Sequence, residues 1–281
     1  MPQSSFLAQF VDFVRKEAKA CVFPFGVFAC LAIGKSVHLP GVPRYDLVLL
    51  LCLGLQALVL RTGLETKDEA RASLIFHFCG LALELYKVQM GSWSYPGFAY
   101  SKVFDVPLYS GFMYASVAGY IHHAWRLFGL RLKPWPNSRL AIGVAIGIYA
   151  NFFTHHFMPD LRWLMATLTL VAFGPTWVSF EVAQVRRRMP LCLSFVLIGI
   201  FVWFAENLAT GLGAWVYPNQ RNGWALVHPS KVGSWSLLVI VTFVVVAMQK
   251  RPSRLEAEVL PTTRSAADLP AGEPQPAAQS T

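Results

Sequence analysis

Two glutamates in apolar surroundings are the residues best suited to chemistry. Glu84 and Glu206 each precede the same pattern, Glu-x6-Gly-[Ser/Ala]-Trp-x-Tyr-Pro, over 84–96 and 206–218. Five identities in register, two of them the uncommon Trp and Tyr, read as an internal repeat. A carboxylate at membrane depth is costly unless it is paired, protonated or hydrated, so each Glu is a candidate catalytic residue. It could hand a proton to a substrate or carrier. It could equally accept hydrogen bonds from the Trp indole or Tyr hydroxyl of its own loop and pin that loop. Both readings stay open on sequence. His77 lies two turns before Glu84 on the same helical face, with Gly80 between them, and joins the catalytic candidates. Its counterpart in the second copy is Gly199, so the two copies frame one unequal site.

The candidate binding residues surround these acids. Lys87 stands at i+3 from Glu84, a spacing that allows an ion pair. Trp93, Tyr95, Trp215 and Tyr217 are the repeated aromatics, and Asn207 follows the second Glu. Lys102 and Lys231 fall in a Ser-Lys-Val that follows each copy and extends the match. His155 and Asp160 close the fifth span, beside Asn151, His156 and Arg162, and ordinary interfacial polarity explains them as well as a ligand does. No recognised metal signature, Walker loop, dinucleotide fingerprint or Ser-His-Asp arrangement is visible, so no metal is assigned and the cofactor is unknown.

Membrane spans must position these residues. The chain has 281 residues, is 55% hydrophobic and 14% charged, and has a mean hydropathy of +0.46. Eight apolar runs of spanning character occur, at 20–37, 45–62, 70–90, 107–128, 139–157, 161–184, 190–212 and 233–249. Gly174-Pro175 falls within the sixth and predicts a kink there. Residues 1–19 hold an amphipathic helix with Phe6, Leu7, Phe10, Val11 and Val14 on one face, suited to a membrane surface. Residues 250–281 are too poor in apolar side chains to fold and are expected to be a disordered tail. The five Cys show no framework spacing and read as small apolar residues.

The net charge of +9 does not indicate nucleic acid, because the Lys and Arg sit in short loops between spans. Seventeen of the 24 fall at the N-terminus, in alternate loops and in the tail; the other seven are Lys35, Arg44, Lys87, Lys102, Arg162, Arg221 and Lys231. This asymmetry places both termini in the cytoplasm of a bacterial inner-membrane, multi-pass protein. The motif copies then lie four spans apart at the outer face. That predicts two parallel four-helix repeats, 20–128 and 139–249, in an all-α polytopic membrane protein.

Glu84-x-x-Lys87-Val88-x-x-Gly91-Ser92-Trp93-Ser94-Tyr95-Pro96 and the Val106–Val117 stretch resemble a bacterial integral-membrane family, domain of unknown function 817. So do Ala205-Glu206-Asn207, Gly213-Ala214-Trp215-x-Tyr217-Pro218-x-Gln220 and Gly223-Trp224. The resemblance covers the chain to about Lys250 and implies a membrane protein without naming an activity. A weaker pattern, acid then Gly-x-Trp-x-Tyr then Pro-Leu, is similar to membrane-embedded lycopene cyclases and carotenoid hydratases. Those enzymes protonate a polyene with buried carboxylates. Tyr109-Ser110 stands here where the cyclases carry paired acids after the Pro-Leu.

The sequence therefore predicts an outer-facing polar and aromatic site between two repeats, in contact with the bilayer. The leading reading is acid-catalysed modification of an apolar lipid or isoprenoid. The alternatives are a small-solute or proton-coupled transporter and a non-catalytic scaffold.

Overall fold

The computed structural model describes residues 5–250, and the expected tail lies outside them from Arg251 onward. Helix α1 (Phe6–Ala20) opens the described chain, with the Ser5 hydroxyl accepting from Ala8 N as its cap. Phe6, Leu7, Phe10, Val11 and Val14 are exposed, while its polar side meets the protein. Asp12 accepts from Ala183 N at 2.7 Å, and Lys16 donates to Glu181 O at 2.7 Å. A soluble helix would bury that apolar stripe; this one presents it outward, as an interfacial helix does.

Eight longer or more apolar helices follow: α2 (Val22–Ser36), α3 (Arg44–Arg61), α4 (Lys67–Gln89), α5 (Ser110–Leu127), α6 (Ser138–Thr154), α7 (Arg162–Phe173), α8 (Leu191–Gly211) and α9 (Lys231–Gln249). They stand at the eight predicted runs. Two of them, α8 and α9, are long and apolar enough to cross a membrane, and α1 with α2, bent by 56°, makes a third candidate. The caps follow local chemistry. Thr66 and Glu69 form a capping box on α4, and Asn137 caps α6 through Arg139 N and Leu140 N.

The sixth run differs from its prediction of 161–184. Helix α7 stops at Phe173, and Gly174 is its cap, donating to Leu170 O at 2.8 Å. Pro175 ends the helix where a kink was expected. The chain then forms β4 (Trp177–Val182) and β5 (Val185–Pro190), an antiparallel pair turning at Ala183 and Gln184, both with positive φ. Strand β3 (Arg131–Lys133) pairs with β4 on its other edge. The β-branched and aromatic run Trp-Val-Ser-Phe-Glu-Val alternates as a strand should, and apolarity alone hid that period. Glu181 and Arg186 are opposed in this register and pair at 3.3 Å. A smaller hairpin, β1 (Lys102–Val103) with β2 (Val106–Pro107), precedes α5.

Consecutive helices pack as hairpins, most extensively α4 on α5 and α8 on α9. Small residues permit the close approach. Gly80 of α4 faces the Tyr114 ring of α5, and Gly111 of α5 faces the His77 ring of α4. One core gathers Phe173, Phe195 and Phe243 from α7, α8 and α9, in edge-to-face contact at 5.1–6.4 Å. A second joins α2, α3 and the loops after α4 and α8 through Tyr45, Tyr95, Tyr109, Trp215 and Tyr217.

Candidate functional site

The C-terminal ends of α4, α6 and α8 and the N-terminal ends of α5, α7 and α9 meet at one end of the bundle, and both motif copies lie there. Glu84, 3% exposed, is enclosed by three donors. Its Oε2 accepts from Trp93 Nε1 and from the Tyr95 hydroxyl, each at 2.7 Å, and its Oε1 is 2.7 Å from the Tyr114 hydroxyl. Glu206, 2% exposed, has two partners. Its Oε2 accepts from Trp235 Nε1 at 2.7 Å, and its Oε1 is 2.5 Å from the Tyr217 hydroxyl.

An indole N–H only donates, so each Oε2 accepts from an indole. The Tyr114 and Tyr217 hydroxyls at Oε1 can each donate or accept. The two motif loops are joined by their main chains. Ser94 N donates to Val216 O at 3.0 Å, and Val216 N returns to Ser94 O at 2.9 Å. These residues occupy the same place in each Trp-x-Tyr.

Between the loops lies a cavity of about 140 Å³. Trp93, Tyr114, Glu206, Tyr217 and Trp235 wall it, and its polar lining includes Lys87, Lys231, Asn151, His155, Asp160 and Arg162. Lys87, 5% exposed, does not pair with Glu84, contrary to the spacing. Glu84 already has its oxygens occupied, and the Lys87 ammonium turns to His155 Nε2 at 3.2 Å and His156 Nε2 at 3.1 Å. The His155 Nδ1 is 2.9 Å from Asn151 O, which can only accept, so Nδ1 donates there. Burial, with the neighbouring Lys87 and His155, pushes the His156 imidazole below its ordinary value and keeps it neutral. Lys231 lies over the rings of Tyr217 and Trp93, at 4.8 and 5.6 Å from their centroids.

Asp160 organises the loop between α6 and α7. Its Oδ1 accepts from Asn151 Nδ2 and Arg162 N, and its Oδ2 holds Arg162 Nε at 2.7 Å. Burial pushes this carboxyl up, but the hydrogen bonds from Arg162 and Asn151 and the Arg162 charge outweigh it and hold the group below the ordinary aspartate range. A carboxyl depressed in the fold contributes stability above its unfolded value, and that contribution disappears as pH falls through the folded one. Wild type should therefore melt above Asp160→Asn at neutral pH, and the gap should close on acidification below about pH 4. A gap that stays constant from pH 7 to 3 would contradict this role.

Not every predicted residue reaches the cavity. His77 packs into the notch at Gly111 and against Phe112, with ring centroids 4.8 Å apart. Lys102 donates to Tyr95 O and Gly97 O, both at 2.6 Å. Asn207 accepts from Val227 N and donates to Trp203 O, which fixes the loop before α9. Tyr95 and Trp215 are buried in the second core. The contact with Glu206 that Trp215 was placed to make comes instead from Trp235, on α9. Sequence reasoning passed over Trp235 because it lies outside the 206–218 motif. Its signal is position: it stands four residues after Lys231, one turn into a helix that begins at the same end.

A comparison with protein-family models matches residues 9–243 to the family described as "Protein of unknown function (DUF817)". The chain belongs to the DUF817 family. A curated relative, "Uncharacterized protein YoaT" of Bacillus subtilis (strain 168), is 54% identical over 245 residues, 87% of this chain and 93% of YoaT. Among solved structures, the Insig homolog MvINS of Mycobacterium vanbaalenii is similar, with a TM-score of 0.49 and 17% identity over 67% of this chain and 98% of that one. A cross-linked MvINS trimer gives a TM-score of 0.47 and 16% identity over the same shares. The weaker resemblance, to lycopene cyclases and carotenoid hydratases, has no counterpart among these relatives.

Proposed function

We propose that this DUF817 protein crosses the bilayer with eight helices in two parallel four-helix repeats, and that it captures a small ligand in an outer-facing cavity where the motif loops meet. The observation that carries the reading is the cavity itself. It is walled by one aromatic from each copy, Trp93 and Tyr217, and by a buried carboxyl, Glu206. The reciprocal bridge between Ser94 and Val216 supports the repeat, because a two-fold axis would pair equivalent residues in this way.

The cavity can exchange a proton with its occupant. Tyr217 lines it and shares a short hydrogen bond with Glu206 Oε1; Tyr114 stands in the same relation to Glu84. Proton exchange serves acid-catalysed modification of a lipid or isoprenoid, and it serves proton-coupled passage of a solute. Glu84 acts behind Tyr114 and does not itself face the ligand. An altered lipid species in both deletion and Glu206→Gln strains marks the enzyme. Unchanged lipids with loss of proton-coupled uptake in liposomes mark the transporter. A Glu206→Gln protein that is merely less stable marks a scaffold and ends the ligand reading.

The topology has its own test. In a cysteine-free background, Ser92→Cys and Ser234→Cys should react with an impermeant thiol reagent from outside intact cells. Gln184→Cys, in the β4–β5 turn, should react only after permeabilisation. Labelling of all three from one side would overturn the arrangement.

A further inference from the structure

Of the seven Lys and Arg assigned to the outer side, four are engaged by oxygen. Lys35 donates to Gly211 O at 2.9 Å and Arg44 to Leu212 O at 2.6 Å, so both cap the C-terminal end of α8. Lys102 holds Tyr95 O and Gly97 O, and Arg162 holds Asp160. Arg221 lies in an exposed loop. Lys87 and Lys231 are different. Each meets rings in the cavity wall and no carboxylate: two imidazoles for Lys87, two aromatic faces for Lys231. Among the described residues, neither makes an ion pair with a carboxylate.

Two ammonium groups in one small cavity repel each other, and burying them without a directly paired anion is unfavourable. The nearby acids are turned to other donors: Glu206 to Tyr217 and Trp235, and Asp160 to Asn151 and Arg162. An ammonium carries three donors, and the imidazoles occupy two of those of Lys87, leaving one for the cavity. The first turn of α9, which begins at Lys231, adds the positive end of a helix dipole.

Resting on the ligand-binding reading above, we propose that the cavity takes an oxyanion, phosphate or carboxylate, gripped between Lys87 and Lys231. At about 140 Å³ the space suits a group of that size. A free solute and a lipid headgroup both present this chemistry. The aromatic wall of Trp93, Tyr114 and Trp235 receives whatever apolar part the anion carries.

The test uses the full-length protein in phosphatidylcholine nanodiscs, with ionic strength held constant by sodium chloride. One arm titrates inorganic phosphate, and separately acetate, and follows thermal melting. The other replaces part of the lipid with phosphatidic acid and adds no free anion. A saturable rise in melting temperature is expected in at least one arm. The phosphate arm then identifies a solute, and the phosphatidic acid arm a headgroup. Lys87→Met and Lys231→Met should each weaken the response about tenfold or more, equivalent to about 1.4 kcal/mol. Lys87→Arg should retain most of it, and Arg221→Gln all of it. Gel filtration identifies any variant that fails to fold, and the Lys87→Arg comparison still decides the case.

The proposal is overturned if neither arm stabilises the protein saturably, or if both Met variants respond as wild type does. If tetramethylammonium or glycerol stabilises where the oxyanions do not, the ligand class is wrong and the cavity reading stands. If none of these stabilises and Ser234→Cys is sealed from both sides, the cavity reading fails as well.

Discussion

Glu84→Leu should destabilise the protein by about 3 kcal/mol or more, the cost of leaving three buried donors without an acceptor. The donors are Trp93 Nε1, the Tyr95 hydroxyl and the Tyr114 hydroxyl, and they come from the motif loop and from α5. The leucine roughly conserves the volume, so lost satisfaction, not a void, sets the size of the effect. Glu84→Gln is the informative partner. Its carbonyl oxygen can still accept from Trp93 and Tyr95, and its amide can donate to a Tyr114 hydroxyl that rotates to accept. It should cost about 1 kcal/mol. Denaturation in detergent measures both. Equal, small losses for Leu and Gln would show that the cage contributes little. Glu206→Leu should follow the same direction with a smaller loss, since it strands two donors.

Gly80→Ala is the second change with a large expected effect. A Cβ at that position would lie within the Tyr114 side chain, against Cβ, Cγ and Cδ2 and not against its movable tip. Rotating the ring cannot relieve contact with Tyr114 Cβ, so α4 and α5 must separate. Overpacking of this kind costs about 1–3 kcal/mol. It should also carry the Tyr114 hydroxyl away from Glu84 and distort a wall of the cavity. Tyr114→Gly in the same chain removes the obstruction, Cβ included, so the double variant should lose less than the two single losses added together. Additive losses would place the clash elsewhere. Gly111 makes the reciprocal contact with His77, so the His77 ring is placed by packing.

The repeated motif was legible because its geometry is local. A Glu two turns from a helix end, a turn residue, then Trp and Tyr is enough to fold a loop back onto the carboxylate, as Glu84 with Trp93 and Tyr95 shows. Eight helices were legible from apolar length, while the caps at Thr66 and Asn137 come from the structure. Long-range partners were not legible. Nothing between 206 and 218 tells that the indole on Glu206 belongs to residue 235, because that contact depends on how α9 packs on α8. The partners of Lys87 were not legible for a related reason: only the fold brings His155 and His156 to it. The sixth run failed differently: a short strand that continues an apolar helix extends its apolar length, and Ala183-Gln184 is an unusual pair for a turn with positive φ.

The bridge between Ser94 and Val216 has a mechanical consequence. Its bonds run from main chain to main chain, so substitution of either side chain leaves them in place; proline, which lacks the N–H, is the exception. The two loops are thereby clasped at one point, and Trp93 and Tyr217 each stand next to the clasp. Separating the loops requires undoing both bonds. On the other side of the cavity, the segment from His155 to Arg162 that joins α6 to α7 is organised by hydrogen bonds to the Asp160 side chain. The cavity is thus held by main-chain bonds at its repeated motif, which tolerate substitution, and by a single carboxylate at its unrepeated segment, which does not.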